Sequence, residues 1–390
     1  MDVEALRASP IGRLVPISGT DGRTGTHYDY YAYLADPLPA SVELSTSTWK
    51  AVVSAEAALA RLDQAARQVP NPGLLRRPAL RREAQSTSAL EGTFAPIEAL
   101  LEPDLEERGQ LPLEVREILN FVVAAEEAFG WIQERPLTVG LIANLQRILV
   151  QGTPGEYSDA GRLRDRQVFI GPRDSPIQEA RFVPAPFGDR LQAGFEQCVE
   201  WTNNPPGDMP AVVQTALAHY QFETLHPFSD GNGRIGRLLI VLQLMRLGVL
   251  VHPILVVSPW FEQRREQYQH QLLDLSKSGL WDNWVNFFAT GIQAAATGTH
   301  ARVDALLSWQ EEVVAQVRQA GAAGVAERVA RELIGQPILN AGHVARRHQI
   351  THQGAMNALR RLSQLGIVDE QVRNGRVTFL AARAIELLRR

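Results

Sequence analysis

The stretch HPFSDGNGRIGR, from His226 to Arg237, decides the interpretation of this chain. Apolar residues recur at helical spacing before it, over Met209–Leu225, and again after it, over Arg237–Gly248. The stretch is therefore predicted to be the loop of a helix–loop–helix, with its Gly-Asn-Gly turn where the second helix begins. Exposed backbone N–H groups and the positive end of the helix dipole make such a position a binding site for an anion.

The polar side chains of this loop are of the types that phosphoryl chemistry needs. His226 is a candidate general base, because an ordinary histidine pKa lies near neutrality. Asp230 is the only carboxylate in the loop and a candidate ligand for a Mg²⁺ ion bound together with phosphates. Arg234 and Arg237 lie on one face of the second helix, where guanidinium groups can clamp phosphates. Taken singly, each has a simpler interpretation: a structural histidine, a turn aspartate and two solvated arginines.

The remaining loop residues allow close approach to the backbone. Gly231, Asn232 and Gly233 bring phosphate oxygens within reach of the main chain, with the Asn232 amide as an additional donor. A bare Gly-Asn-Gly could equally be a simple turn. Phe228 is predicted to anchor the loop in the core.

At these residues the chain resembles the Fic family, whose signature HPFx[D/E]GNGRxxR is matched at every defined position. The resemblance implies a Fic-type helical core that transfers AMP from ATP, with Mg²⁺, to a Ser, Thr or Tyr hydroxyl of a target protein or of the chain itself. It also implies that His226 is the catalytic base and that Arg237 meets the terminal phosphate of ATP. The residues predicted to bind ATP are Gln221, His226, Pro227, Phe228, Ser229, Asp230, Gly231, Asn232, Gly233, Arg234, Arg237 and Trp260.

A second pattern, TSALEG from Thr87 to Gly92, matches the Fic inhibitory pattern [S/T]xxxE[G/N]. It ends a stretch of helical character at about residues 75–92, which is predicted to begin or kink at Pro78. The resemblance implies that Glu91 pairs with Arg237 and removes the donor meant for the terminal phosphate. Some family members use this glutamate to position water for AMP removal, so that second activity stays open. A glutamate before a glycine is otherwise an ordinary surface helix end.

The segment from Gly161 to Pro186, between these two patterns, is rich in Gly, Pro and Asp. Gln167–Ile170 and Arg181–Val183 are predicted as short strands around a turn. The segment resembles the Fic flap, which holds a target by backbone pairing and so specifies its side chains loosely. An ordinary surface hairpin is the alternative. The residues expected to contact the target are Gln167, Val168, Phe169 and Ile170.

The stretch Val256–Tyr268 aligns with the family segment near the adenine base. Trp260 and Phe261 fit its aromatic positions, whereas Arg264 stands where Asn is common. For Trp260, core packing and stacking on adenine are both consistent with the sequence.

The composition sets the broad class. The 390 residues, 45% of them hydrophobic, suffice for two or three domains, and the formal net charge is −4. The single cysteine, Cys198, excludes an internal disulfide and fits a reducing compartment. The first residues do not resemble a secretory leader, and Arg246 and Pro253 interrupt the apolar stretch Leu238–Val257. A cytoplasmic protein without membrane contact is therefore expected.

The expected fold class is mainly α, with the flap as a small β-hairpin. The chain is loop-like up to about residue 45, helical over Ser45–Gln68, and has a flexible joint at Ala320–Gly324. Family resemblance also implies a homodimer. The predicted segments are 1–111 for an N-terminal Fic-associated region, 112–295 for the catalytic core, 296–325 for a helix and linker, and 326–390 for a further domain.

The last segment, residues 326–390, resembles a winged helix-turn-helix. Apolar spacing predicts three helices, and the sequence then alternates around Asn374-Gly375, a strong hairpin signal. Eleven arginines against five acidic residues give the segment a positive balance. A protein-binding or dimerising role is as consistent with these features as DNA binding. The possible DNA contacts are His352, Gln353, Asn357, Arg360 and, in the wing, Arg376.

Two hypotheses of different classes follow. The first is an autoinhibited protein adenylyltransferase. The second is a DNA-binding transcriptional regulator whose Fic core senses nucleotide or is inactive. The intact His226, Asp230, Arg234 and Arg237 favour the enzyme.

Overall fold

The structure is a computed structural model that describes residues 1–21, 25–69, 71–102, 111–172, 175–373 and 376–389. It is mainly helical, with one two-stranded and one three-stranded antiparallel sheet, which confirms the predicted mainly α class. The chain divides into two compact units, and each is described by itself.

The helices and strands of the described residues are named in chain order. The helices are α1 (Val3–Arg7), α2 (Thr46–Gln68), α3 (Gly73–Leu90), α4 (Ile97–Leu101), α5 (Leu113–Phe129), α6 (Val139–Val150), α7 (Asp189–Asn203), α8 (Ala211–Leu225), α9 (Asn232–Arg246), α10 (Ser258–Glu262), α11 (Arg265–Ser278), α12 (Trp281–Gln319), α13 (Val325–Glu332), α14 (Ala341–His348), α15 (His352–Gln364) and α16 (Ala382–Arg389). The strands are β1 (Gly12–Thr20), β2 (His27–Ala35), β3 (Ile338–Leu339), β4 (Asp369–Arg373) and β5 (Arg376–Leu380).

The first unit comprises Met1–Ala60, Val123–Leu250 and Val257–Ala294. Helix α8 lies in its core: from Val212 to Leu225, every residue except Glu223 is buried. Helix α8 contacts α7 and α9, and its buried polar side chains, such as His219 and Gln221, are hydrogen-bonded. The loop between α8 and α9 is therefore anchored at both ends by buried helices.

The prediction of a loop-like opening is wrong, because β1 and β2 form a regular hairpin there. The two strands pair from Gly12 with Ala35 to Thr20 with His27. Strand β2 is rich in tyrosine, a good strand former, but the Gly and Pro residues of the opening obscure that signal in the sequence. Tyr33 fixes the hairpin in the unit, since its N–H donates to the Val183 carbonyl at 2.8 Å.

The second unit comprises Arg61–Val122, Val251–Val256 and Ala295–Arg390. Its helix α3 begins at Gly73, five residues before Pro78, so a start at Pro78 is wrong, whereas the alternative of a kink there stays a prediction. Proline lacks the N–H of an interior helical bond, but the burial of α3 along most of its length compensates for that loss. The predicted end of the helix is confirmed: Glu91 is its C-cap, and Gly92 follows with a φ of 95°.

The C-terminal part of the second unit contains α13, β3, α14, α15, β4, β5 and α16. The three predicted helices and the pairing of β4 with β5 are present, whereas β3 and α16 were missed. Strand β3 is too short for a periodic signal, and it joins the sheet by pairing with β5. The predicted turn at Asn374-Gly375 lies outside the described residues. The winged-helix interpretation stays a prediction.

Helix α12 is longer than the helix predicted within residues 296–325, because it is continuous from Trp281. The expected segment boundary at 295/296 falls inside it, beside the division between the two units. The predicted joint at Ala320–Gly324 does separate α12 from α13, with positive φ angles of 65° at Gly321 and 91° at Gly324. Among the helices in the described ranges, none has the length together with the hydropathy that a bilayer crossing requires.

Candidate active site

His226 closes helix α8 in the first unit. Its N–H still donates to the Phe222 carbonyl at 3.0 Å, but its φ of 49° and ψ of 62° are left-handed. This conformation ends the helix at once and turns the chain into the loop. The partly exposed imidazole therefore belongs to the first residue outside a buried helix.

The loop after His226 is locked by reciprocal bonds between two of its residues. The Phe228 N–H donates to Asn232 Oδ1 at 2.9 Å, and Asn232 Nδ2 donates to the Phe228 carbonyl at 2.7 Å. Phe228 is fully buried beside Phe195 and Phe222, as its anchoring role predicted. Asn232 was proposed as a phosphate donor, but both ends of its amide already hold the loop. Its main observed contact is thus structural.

Helix α9 begins directly at the glycine turn. Gly231 has a φ of 82°, and a Cβ there would lie 2.7 Å from Leu149 Cδ2, so only glycine fits. The next residues, Asn232 and Gly233, present the first N–H groups of a 15-residue helix. Arg234 and Arg237 follow within its first turns, and both are nearly buried.

Asp230 lies beside this helix start. Its Oδ1 is 3.2 Å from Arg234 Nη2, and its carbonyl accepts from Gln146 Nε2 at 3.1 Å. A Cβ at Gly155 would lie 2.4 Å from Asp230 Oδ2, so the carboxylate has its room only because residue 155 is glycine. One partly exposed carboxylate beside an anion site is a donor set that fits Mg²⁺ held mainly by phosphate oxygens and water.

A neighbouring segment that contains Asp159 and Arg166 contacts the motif at Ser229. Ser229 Oγ donates to Asp159 Oδ2 at 2.6 Å and accepts from Arg166 Nε at 3.2 Å. Arg166 also lies over the Tyr157 ring, 4.3 Å from its centroid. Sequence reasoning missed Asp159, because a lone acid in a turn carries no periodic or motif signal.

His219, about two turns before His226 in α8, supports the start of α9. Its ring nitrogens lie 3.1 Å from the Gly236 carbonyl and 2.7 Å from Tyr268 Oη. Burial, assisted by the charge of Arg237, lowers the pKa of His219 to about 3. The imidazole is therefore neutral at physiological pH and acts as a fixed link between α8, α9 and α11.

The predicted flap is less regular than expected. Instead of two short strands, the described residues of the flap form a single antiparallel bridge, between Ile170 and Phe182, so the strand prediction is wrong. Prolines near the bridge lack the N–H groups that a longer strand pair would need. The Pro184 carbonyl accepts from the Gln167 side chain at 3.0 Å instead of from a backbone N–H of the opposite arm. Val168 and Phe169 lie in the arm before the bridge and are half-buried.

Two residues placed among the ATP contacts have other partners. Gln221 is buried in α8, and its Nε2 donates to the Asp36 carbonyl at 3.0 Å. Trp260 lies in α10 with its ring 4.9 Å from that of Phe287, and the Arg264 guanidinium lies 4.6 Å from the Trp260 ring centroid. These contacts agree with the packing alternative for Trp260, and an ATP role for either residue stays a prediction.

The second unit carries the other predicted sites. Thr87 is buried within α3, whereas Glu91 and Gly92 at its end are exposed. The side chain of Arg376, the possible DNA contact in the predicted wing, lies outside the described residues. The candidate DNA-contacting residues that are exposed on α15 are His352, Gln353, Asn357 and Arg360.

Comparison with known proteins agrees with the site. Residues 49–130 match the model of the Fic/DOC family N-terminal region, and residues 136–244 match that of the Fic/DOC family. The site residues from Gln146 to Arg237 lie within the second match. Residues 49–130 and 136–244 of the chain are therefore Fic/DOC family regions.

Part of the chain is also similar to curated relatives. The protein adenylyltransferase Fic of Drosophila ananassae is 32% identical over 209 residues, which are 52% of this chain and 38% of that protein. The corresponding protein of Drosophila willistoni is 31% identical over 200 residues, 50% of this chain and 36% of that protein. The chain thus spans well under half the length of these relatives.

The fold is shared with a solved structure. A Fic family protein from Desulfovibrio desulfuricans superposes with a TM-score of 0.56 over 87% of this chain and 97% of that chain. Its sequence identity of 19% limits the comparison to the fold.

Proposed function

We propose that this chain is a protein adenylyltransferase, which transfers AMP from ATP to a Ser, Thr or Tyr hydroxyl of a target protein. One observation carries the proposal: a loop held by reciprocal bonds joins His226 to the N-terminus of α9, where the first backbone N–H groups, Arg234 and Arg237 lie together. The names of the Drosophila relatives supply the reaction class that fits this arrangement.

The chemistry assigns a separate role to each side chain. His226 removes the proton of the target hydroxyl while the hydroxyl oxygen attacks the α-phosphorus of ATP, and pyrophosphate leaves. Such positioned proton transfer contributes about 10²–10⁴-fold. The amides of Asn232 and Gly233, with Arg234 and Arg237, hold the phosphates and balance the charge that develops on them.

Mg²⁺ fits the donors present, and Asp230 would hold it. When bound, the ion neutralises phosphate charge. The Arg234 contact keeps the Asp230 carboxylate in one orientation, and Gly155 keeps its outer oxygen clear.

We further propose that the enzyme is autoinhibited through the Thr87–Gly92 pattern. Glu91 would pair with Arg237 and leave ATP in an unproductive orientation. The match of Thr87–Gly92 to the inhibitory pattern, and the position of Glu91 as the exposed C-cap of α3, support this proposal.

The test is a labelling experiment with α-labelled ATP and Mg²⁺. We expect Glu91→Gly to raise transfer to the chain itself and to added protein, and His226→Ala in that background to abolish it. If Glu91→Gly labels nothing faster than the parent, autoinhibition is wrong. If no variant transfers label, the adenylyltransferase proposal is wrong. Chasing the labelled protein with unlabelled nucleotide tests AMP removal by the same site.

DNA binding remains the second candidate function. The exposed row of His352, Gln353, Asn357 and Arg360 on α15 supports it, although Arg360 already lies 3.8 Å from Glu370. Retention of a DNA duplex that falls steeply with salt, and that Asn357→Ala weakens for some sequences only, would favour this function.

A further inference from the structure

The backbone of His226 needs support from the rest of the first unit. Among the described non-glycine residues, only His226 and Gln349 have a positive φ. The left-handed region is disfavoured for residues with a Cβ, so the conformation persists only where neighbours impose it. It leaves the last carbonyl groups of α8 without helical partners.

One residue, Arg164, accounts for three consecutive carbonyls at this turn. Its Nε donates to the His226 carbonyl at 2.9 Å, and its Nη2 lies 3.5 Å from the Leu225 carbonyl. Its own backbone N–H donates to the Pro227 carbonyl at 3.0 Å. The turn that carries the imidazole is thus held from one side by a single residue.

The same guanidinium also holds the flap. Arg164 Nη2 donates to the Ala185 carbonyl, and Nη1 donates to the Arg166 carbonyl at 3.0 Å. Ala185 closely follows Phe182, the partner in the flap bridge, and Pro184 is bonded by Gln167 from the opposite arm. Arg164 therefore connects both arms of the flap to the end of α8.

The charge of Arg164 is directed at carbonyl oxygens. The side chain is 2% exposed, and burial lowers its pKa to about 9, while the charge of Asp159 opposes the shift. It remains a cation at neutral pH. Carbonyl groups at the negative end of α8 favour a cation there, and a rigid guanidinium can bond several fixed acceptors at once, which a lysine ammonium does less well.

We propose that Arg164 is the positioning residue that sets the distance between His226 and the target hydroxyl, by fixing the His226 turn and the flap to one another. Helix α9 and its phosphate-binding amides have no bond to Arg164 among the described residues. Loss of Arg164 should therefore impair transfer and leave nucleotide binding intact. This inference rests on the proposed adenylyltransferase function.

The test compares Arg164→Lys, Arg164→Met and the control Arg162→Met in the Glu91→Gly background. Arg162 lies in the same turn but is exposed, with its Nη2 on the Ser158 carbonyl at 3.0 Å. Four measurements are needed: thermal unfolding, affinity for a non-hydrolysable ATP analogue with Mg²⁺, kcat and KM for transfer, and backbone hydrogen exchange.

We expect Arg164→Lys to stay folded and to lower kcat by about 100-fold, with ATP affinity and KM for ATP within threefold. Arg164→Met should lower kcat further. Backbone amides at 228–230 and at 181–183 should exchange faster together in both variants, and Arg162→Met should change none of these quantities.

Two results would overturn the inference. One is a folded Arg164→Lys protein with kcat within threefold of its parent. The other is a loss of ATP affinity as large as the loss of kcat, since a merely structural role disturbs both. If Arg164→Met does not fold, Arg164→Lys decides the matter. If the parent transfers no label, the proposed function fails, and hydrogen exchange still decides whether Arg164 joins the turn to the flap.

Discussion

The motif loop and the flap differ in how tightly the first unit holds them. The loop between His226 and α9 is fixed by reciprocal bonds with Asn232, a buried phenylalanine and Gly231, whose left-handed φ and close neighbour Leu149 disfavour a Cβ. In the part of the flap that the structure describes, one backbone bridge joins Ile170 and Phe182. Catalytic groups must be placed before the reaction, whereas backbone groups of the flap must stay available to pair with a target.

The largest effect should come from removing the base of the rigid region. His226→Ala is expected to lower label transfer by about 10²–10⁴-fold in the Glu91→Gly background, because no other described side chain of the loop can accept the hydroxyl proton near neutral pH. Affinity for an ATP analogue should change little. A variant that retains transfer above one-tenth of the parent rate would show that His226 is not the base.

A substitution that introduces a methyl group beside Asp230 should cause the next largest loss of transfer. Gly155→Ala places a Cβ 2.4 Å from Asp230 Oδ2 and must displace the carboxylate. We expect transfer to fall by about 100-fold and the Mg²⁺ concentration at half-maximal rate to rise. Gly140→Ala is the matched control, since a Cβ there meets no atom within 4 Å. Equal rates in the two variants would remove Asp230 from the metal role.

A proline in the flap tests the loosely held region. Ile170→Pro removes the N–H that donates to the Phe182 carbonyl at 2.9 Å. Transfer to a protein target should fall about 30-fold with an unchanged KM for ATP, because only the register of the target is lost. Ile170→Val keeps the N–H and should behave as the parent. If ATP affinity falls instead, the flap belongs to the nucleotide site.

The smallest expected effect is a change of stability with pH, caused by His219, which links α8 to the start of α9. The folded pKa of His219, about 3, lies below its ordinary value of 6.5, so the unfolded chain binds the proton more readily. The stabilisation is complete above pH 6.5 and is lost as pH falls towards 3. Between pH 7.5 and 5.5 this group should lower the free energy of unfolding by about 1.4 kcal/mol.

Chemical denaturation at the two pH values measures that change. His219→Gln lacks the titrating group, and its dependence on pH over this range should be smaller by the same amount. If the free energy of unfolding changes equally with pH in the parent and in His219→Gln, the low pKa assigned to His219 is wrong.

The motif illustrates what could be predicted from sequence. Its glycines, Asp230, Arg234 and Arg237 lie close together in the sequence. The helical spacing of apolar residues on both sides predicts that they lie at the start of a helix. The end of α3 at Glu91 was predictable for the same reason, because a glycine after a helical run is a local signal. The hairpin β1–β2 was not, since its glycines and prolines outweighed the strand preference of its tyrosines.

Local sequence thus determined the class of the protein, its mainly helical fold and the residues of its anion-binding loop, because caps, turns and helical periodicity depend on near neighbours. Tertiary structure alone brought Asp159 to Ser229, Gly155 to Asp230 and Arg164 to the carbonyls around His226. These contacts join segments more than 60 residues apart. Their partners are backbone atoms or single side chains, which leave no periodic pattern, so only packing could decide them.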